Sequence, residues 1–193
     1  MALLNSKGAF EQIAETFEAT CLGAPFKVLL HGSVSVEKHP VTQEIVGYTI
    51  PDLGQLAIAV LLSRLSHPRK LSGKDVKFIR KVLGIKQKKL AEEIEVSTEH
   101  LSRFENGGPP LSAQGDKYLR LFAIRDAFNL QDMPAGRKKD RLEEALDNVF
   151  YGMRLEVAHD PSETMQFDFF HLPSSDEPEC PKNLGWAEEK TAA

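Results

Sequence analysis

Residues 72–107, SGKDVKFIRKVLGIKQKKLAEEIEVSTEHLSRFENG, decide how this chain is read. Val76, Ile79, Arg80 and Leu83 recur at the three-and-four spacing of one helix face, and Ser72 stands where a side-chain oxygen caps the first free N–H groups. Gly84 ends that helix, because glycine takes the left-handed backbone of a helix C-terminus without steric cost. Gln87 to Ile94 predicts a second short helix with Leu90, Ala91 and Ile94 inward, Ala91 being small enough for another helix to cross closely. Glu95 and Val96 are left for a turn, with Val96 tucked inward. Ser97, Thr98 and Glu99 then restart a helix that buries Leu101 and Phe104 and ends at Asn106-Gly107. The outer side of this third helix is Thr98, Glu99, His100, Ser102 and Arg103. It is short, polar and free of large apolar groups, as a helix must be to enter a DNA major groove about 12 Å wide and meet base edges.

The surrounding charge supports that reading. Overall the 193 residues carry a formal charge of −4, which alone argues against a nucleic-acid partner. Yet residues 64–90 hold ten Lys or Arg (Arg64, Arg69, Lys70, Lys74, Lys77, Arg80, Lys81, Lys86, Lys88 and Lys89) against the single acid Asp75. The basic charge is therefore concentrated beside the three helices, whereas a generic solvated surface mixes its signs.

Leu83-Gly84-Ile85-Lys86-Gln87, Leu90-Ala91, Val96-Ser97 and Leu101-Ser102-Arg103-Phe104-Glu105-Asn106-Gly107 together resemble the helix-turn-helix domain of the lambda repressor and Cro superfamily, often called Xre-like. Two departures stand out: Glu95 replaces the usual turn glycine, and Phe104 a common tryptophan. Glu95 must then take a left-handed backbone, at roughly 1 kcal/mol, or reshape the turn. The resemblance implies that Gln87 touches DNA backbone and base and that Thr98, Glu99, His100 and Arg103 read sequence. By their chemistry, Arg103 pairs bidentately with guanine, Glu99 accepts from cytosine, and Thr98 or Ser102 bonds to base or phosphate. Lys86, Lys88, Lys89, Ser97 and Asn106 complete the expected DNA-binding set.

A narrower resemblance follows from the order of parts. Tyr48–Asp52 is a Tyr-x-Ile-Pro-Asp segment, and a helix and then Leu71-Ser72-Gly73-Lys74-Asp75-Val76-Lys77-Phe78-Ile79-Arg80-Lys81 lead into the motif. Residues 45–125 thus look like the DNA-binding half of MqsA-type antitoxins and their stand-alone regulator relatives, which implies a dimer that represses its own promoter. The zinc-bearing, toxin-binding part of that family has no counterpart, because no cysteine pair is present.

Outward from the motif, Phe10, Ile13, Ala14 and Phe17 predict an N-terminal helix. Phe26–Leu30, Gly32–Val36 and Ile45–Ile50 predict a small antiparallel sheet of two or three strands. Pro51 is expected in the first turn of a helix carrying Leu53, Leu56, Ala57, Val60, Leu61 and Leu65. After Pro109-Pro110, Ser112 caps a helix with Tyr118, Leu119, Leu121, Phe122 and Ile124. A linker at Met133–Gly136 precedes a helix over Arg137–Met153 with a stripe of Leu142, Ala145, Leu146, Val149, Phe150 and Met153, a core face or a dimer seam. Leu155 and Val157, then Met165, Phe167 and Phe169 beyond a turn at Asp160-Pro161, predict two short strands that form a hairpin or add to the N-terminal sheet. Residues 174–193, rich in Ser, Asp, Glu and Pro, are expected to be a mobile acidic tail with Trp186 incidental to it.

The expected fold is therefore α+β and mainly α. A five-helix, lambda-repressor-like domain over 51–130 sits between a β-rich element over 1–50 and a helix with short strands over 131–173. The expected activity is sequence-specific transcription regulation, with double-stranded DNA and a second copy as partners. The alternative is an antitoxin-like protein that binds and neutralises a toxin while repressing its own operon. No cofactor or metal is expected: the six histidines are scattered, and Cys21 and Cys180 form no ligand pair. No catalytic constellation or phosphate loop is present in the sequence, so an enzyme is not expected. The absence of a long apolar run or a secretory leader predicts a cytoplasmic protein without membrane contact.

Overall fold

The computed structural model describes residues 3–4, 10–131, 135–157, 164–172 and 185–189. In chain order the elements are strands β1 (Leu3–Leu4), β2 (Phe10–Glu18), β3 (Lys27–Lys38) and β4 (Ile45–Thr49), then helices α1 (Leu53–Ser66), α2 (Gly73–Val82), α3 (Gln87–Glu93), α4 (Thr98–Glu105), α5 (Ala113–Leu130) and α6 (Ala135–Asp147). A π-helical turn over Asn148–Gly152 and strands β5 (Gln166–His171) and β6 (Trp186–Glu188) follow. The chain is α+β and divides into two units. One comprises residues 1–22, 26–56 and 166–193, the other residues 23–25 and 57–165.

The first unit is a six-stranded mixed sheet in the order β1-β2-β3-β5-β6, with β4 also on β3. Strand β3 organises it. β2 lies antiparallel along one edge, while β5 runs parallel to Lys27–His31 and β4 antiparallel to Ser35–Lys38 on the other. Val28, Leu30, Val34 and Val36 are buried on one face of β3, and Phe167 and Phe169 continue that face from β5. Phe26 meets Phe167 edge-on at 5.0 Å between ring centroids. On the other face His31 Nε2 lies 2.8 Å from Asp168 Oδ1, and His31 Nδ1 lies 3.3 Å from Thr16 Oγ1.

The strands differ from the sequence expectation in four ways. Residues 10–18 form β2, not a helix. The strand shifts register between Ala14 and Thr16, so its apolar residues fall at helix-like spacing. Lys27–Leu30 and Gly32–Val36 belong to one continuous strand that passes Gly32 at φ +57, with Phe26 just before it, and the sheet is mixed, not a small antiparallel one. Leu155 and Val157 form no strand. Glu156 alone makes a bridge with Arg69, while β5, the second expected strand, joins the N-terminal sheet, one of the two expected arrangements. Finally, β6 lies inside the stretch expected to be a mobile tail. Trp186 is not incidental there: its Nε1–H donates to the Pro51 carbonyl at 3.2 Å and its ring meets His171 edge-on at 5.1 Å. Residues 174–184 and 190–193 lie outside the described residues, as does the Asp160-Pro161 turn.

The second unit is helical. Helix α1, most of which belongs to it, begins at Leu53, so Pro51 precedes the helix and does not occupy its first turn; the Asp52 carbonyl, at φ +43, accepts from the Leu56 N–H. Val60, Leu61 and Leu65 of α1, Val76, Phe78 and Ile79 of α2, Leu90 and Ile94, Leu101 and Phe104, and Leu119, Ala123, Ile124 and Ala127 of α5 are buried. Two arginines are buried with them. Arg64 forks onto Asp75 at 2.9 and 3.0 Å and donates to the Arg69 and Lys70 carbonyls. Arg120 donates to Asp116 at 2.6 Å and to the carbonyls of Leu65, His67 and Arg69. Asp116 also accepts from the Leu71 N–H, and Asp75 from both the N–H and the hydroxyl of Ser72. The two ion pairs thus hold the link between α1 and α2, whose carbonyls have no helix to bond.

The stripe expected over Arg137–Met153 is split. α6 buries none of its residues, while Val149 and Met153 in and after the π-helical turn are buried and Phe150 is 58% exposed. Ala135 and Gly136 open α6 and do not link to it; Met133 and Pro134 lie outside the described residues. The units also cut across the expected boundaries at 50 and 130, because β5 and β6 belong with β1–β4 and α6 belongs with α1–α5.

Candidate nucleic-acid interface

The segment 72–107 folds as three helices with matching ends. Ser72 and Asp75 cap α2 reciprocally, the Ser72 hydroxyl accepting from the Asp75 N–H and the Asp75 carboxylate accepting from the Ser72 N–H. Each helix then closes with the same pair of hydrogen bonds. Ile85 N–H donates to Arg80 and Gly84 N–H to Lys81; Val96 donates to Ala91 and Glu95 to Glu92; Gly108 donates to Arg103 and Gly107 to Phe104. The pivot of this cap is left-handed each time, at φ +67 for Gly84, +55 for Glu95 and +90 for Gly107. The turn between α3 and α4 is therefore tight despite lacking a glycine, and Glu95 carries the strain. Behind the turn, α2 starts against the end of α4 so closely that a Cβ on Gly73 would overlap the Phe104 carbonyl.

Glu105 locks this arrangement. Its side chain is 3% exposed and accepts from Arg80 Nε and Nη2 at 3.0 and 3.1 Å and from Gln87 Nε2 at 3.0 Å. One carboxylate thereby joins α2, the first residue of α3 and the last of α4. Sequence reasoning missed this role, because Arg80 read as part of the basic face and Glu105 as part of a motif.

The expected interface residues fall into two groups. Glu99 and Arg103 are exposed at the middle of the face opposite Leu101 and Phe104, with Thr98, His100 and Ser102 half-buried beside them. Lys86 at the N-cap of α3, Lys88 and Lys89 are exposed; Lys88 reaches Glu92 only at 4.0 Å, a solvent-screened pair worth little. The remaining three, half-buried Gln87 and exposed Ser97 and Asn106, each make a hydrogen bond within the chain. Gln87 gives its amide N–H to Glu105. The Ser97 hydroxyl accepts from the His100 N–H at 3.1 Å, and Asn106 Nδ2 donates to the Ser102 carbonyl at 2.8 Å. Ser97 and Asn106 thus serve the two ends of α4.

The basic patch is also smaller than its count in the sequence. Arg64 is buried against Asp75, and Arg80 is spent on Glu105. Lys74, Lys77, Lys81, Lys86, Lys88 and Lys89 are the exposed cations of α2 and α3. Lysines on flexible stems suit phosphates as point charges and carry no sequence preference.

No protein-family model, curated protein or solved structure matches the chain. Among the described residues no cluster of three or more His, Cys, Asp or Glu could hold a metal ion, and no helix is long and apolar enough to cross a membrane.

Proposed function

We propose that the chain is a sequence-specific DNA-binding transcription regulator of the lambda repressor and Cro type, acting as a homodimer on an inverted-repeat operator and repressing its own promoter. The observation that carries this reading is the α3–turn–α4 pair, fixed from behind by Glu105 while Glu99 and Arg103 stand exposed on α4. A rigid backing with a polar, uncrowded outer face is what base reading requires, and the lysines of α2 and α3 flank it for phosphate contact. Arg103 then pairs with a guanine, Glu99 accepts from a cytosine amine, and Thr98 and Ser102 bond at the groove edge.

The test is binding of the purified chain to its own upstream DNA against scrambled DNA at physiological salt, with footprinting. The expected result is a protected inverted repeat with half-sites about 34 Å apart, bound ~10³-fold above scrambled sequence. Arg103→Ala should cost about 1–3 kcal/mol of binding and relax preference at one base pair, whereas Lys88→Ala or Lys89→Ala should weaken binding to all sequences and lower the salt slope. Equal losses on specific and random DNA for Arg103→Ala would remove Arg103 from the reading face. Weak, uniform binding by the unaltered chain would favour the second reading, an antitoxin-like protein that neutralises a toxin. For that role the sheet leaves the apolar side chains Ile13, Ile45, Val46 and Tyr48 individually exposed.

A further inference from the structure

The π-helical turn after α6 produces an aromatic groove that the DNA reading leaves unused. The turn closes by a wide hydrogen bond from the Met153 N–H to the Asn148 carbonyl at 2.7 Å, and Lys117 of α5 ties it down by donating to the Phe150 carbonyl at 3.3 Å. Such turns recur at functional sites, because one extra residue per turn re-aims neighbouring side chains. Here Val149 and Met153 go inward, whereas the consecutive rings of Phe150 and Tyr151, edge-on at 4.8 Å, are 58% and 79% exposed. With Tyr118 and Phe122 of α5 they line a groove of about 470 Å³, within the range of small-molecule sites.

The charge in the groove selects its occupant. Arg125 also lines the groove, its guanidinium 5.1 Å from the Phe122 ring centroid, and its charge is matched by Asp126 at 3.1 Å. Glu93, the last residue of α3, and Asp147, the last of α6, also line the groove, and their carboxylates make no hydrogen bond or ion pair among the described residues. Exposed aromatic faces with two unneutralised carboxylates attract positive charge carried on an apolar body, since the ring quadrupole and the carboxylates act in the same direction. We infer that this groove is a binding site for an organic cation with an aromatic body.

The test is equilibrium dialysis of the full chain, without DNA, against tetraphenylphosphonium and against tetraphenylborate, an anion of the same shape. Saturable binding of the cation is expected, at least about tenfold tighter than the anion. Tyr151→Ala, and separately Glu93→Gln with Asp147→Asn, should each weaken it about tenfold; all three residues are exposed, so the variants should fold. No saturable binding, equal binding of the anion, or variants without effect would overturn the site. So would a dimer that Tyr151→Ala splits without any tetraphenylphosphonium binding, since the face would then be a seam between two copies. Because no DNA is present, failure of the transcription-regulator reading leaves this result untouched.

Discussion

Arg64 and Arg120, fully buried among α1, α2 and α5, end on carboxylates and backbone carbonyls, whereas Arg103 and the lysines of α2 and α3 stand in solvent. Both regions are built from cations and carboxylates. In the interior a desolvated charge is tolerable only with its partner in place, so each member is needed for the fold. On the outer face water screens every pair, so the same groups add little to stability and are free to bind something else. Glu105 lies between the two, buried itself but bonded to Arg80 and Gln87 at the edge of the face.

That contrast can be broken by substitution. Arg120→Ala should cost about 3–5 kcal/mol in denaturant unfolding, because it strands buried Asp116 and frees three carbonyls. Glu105→Ala should cost about 2–3 kcal/mol and weaken DNA binding on every sequence, since the backing of α3 and α4 is lost. Arg103→Ala should change stability by no more than about 0.5 kcal/mol. If Arg120→Ala and Arg103→Ala cost the same, the distinction between the regions fails. Glu95→Gly should stabilise by about 0.5–1 kcal/mol, relieving the left-handed strain that Gly84 and Gly107 avoid, less the entropy glycine adds to the unfolded chain.

The smallest effect concerns pH. His67 lies beside the buried arginines: its Nδ1 accepts from the Arg69 N–H at 3.1 Å and its carbonyl accepts from Arg120. Burial lowers its pKa below the ordinary histidine value, and Arg64, Arg69 and Arg120 lower it further. The unfolded chain therefore takes up this proton first. The contribution is present above about pH 6.5 and is lost as pH falls toward the lowered folded value. His67→Asn, which keeps an acceptor, should flatten stability against pH in that window; an unchanged profile would place the dependence elsewhere.

The helices were legible in the sequence because their signals are local. Ser72, Gly84, Ser97 and Gly107 mark ends within a few residues of the apolar pattern they bound, and Glu95 could be singled out as the strained turn residue. Glu99 and Arg103 were legible as an outer face from helical period alone. The sheet was legible only in part: strands at Gly32–Val36, Ile45–Ile50 and Phe167–Phe169 carry their own alternation, but the choice between a local hairpin and the parallel β3–β5 pairing depends on contacts such as His31 to Asp168, 137 residues apart. β2 misled for a different reason: its register shift between Ala14 and Thr16 breaks the alternation, so half-buried Ala14 and Phe17, opposite Val34 and Leu30, stand three residues apart. The partners of Arg64, Arg80 and Arg120 were hidden because charge counting cannot tell a solvated cation from a buried one.

Strands β1–β4 come before the helices in the chain and β5 and β6 after them, so the sequence of the sheet unit is interrupted by that of the helical unit. On a ribosome this order has a cost. The helices can settle while synthesis continues, but β3 must wait with one half of its edge unpaired until residues 166–171 emerge. Val28 and Leu30 are the apolar residues left waiting, opposite the Phe167 and Phe169 that later cover that part of the edge. Newly made chains thus pass through an interval in which the half-built sheet is open to foreign strands, and it closes only with the arrival of β5.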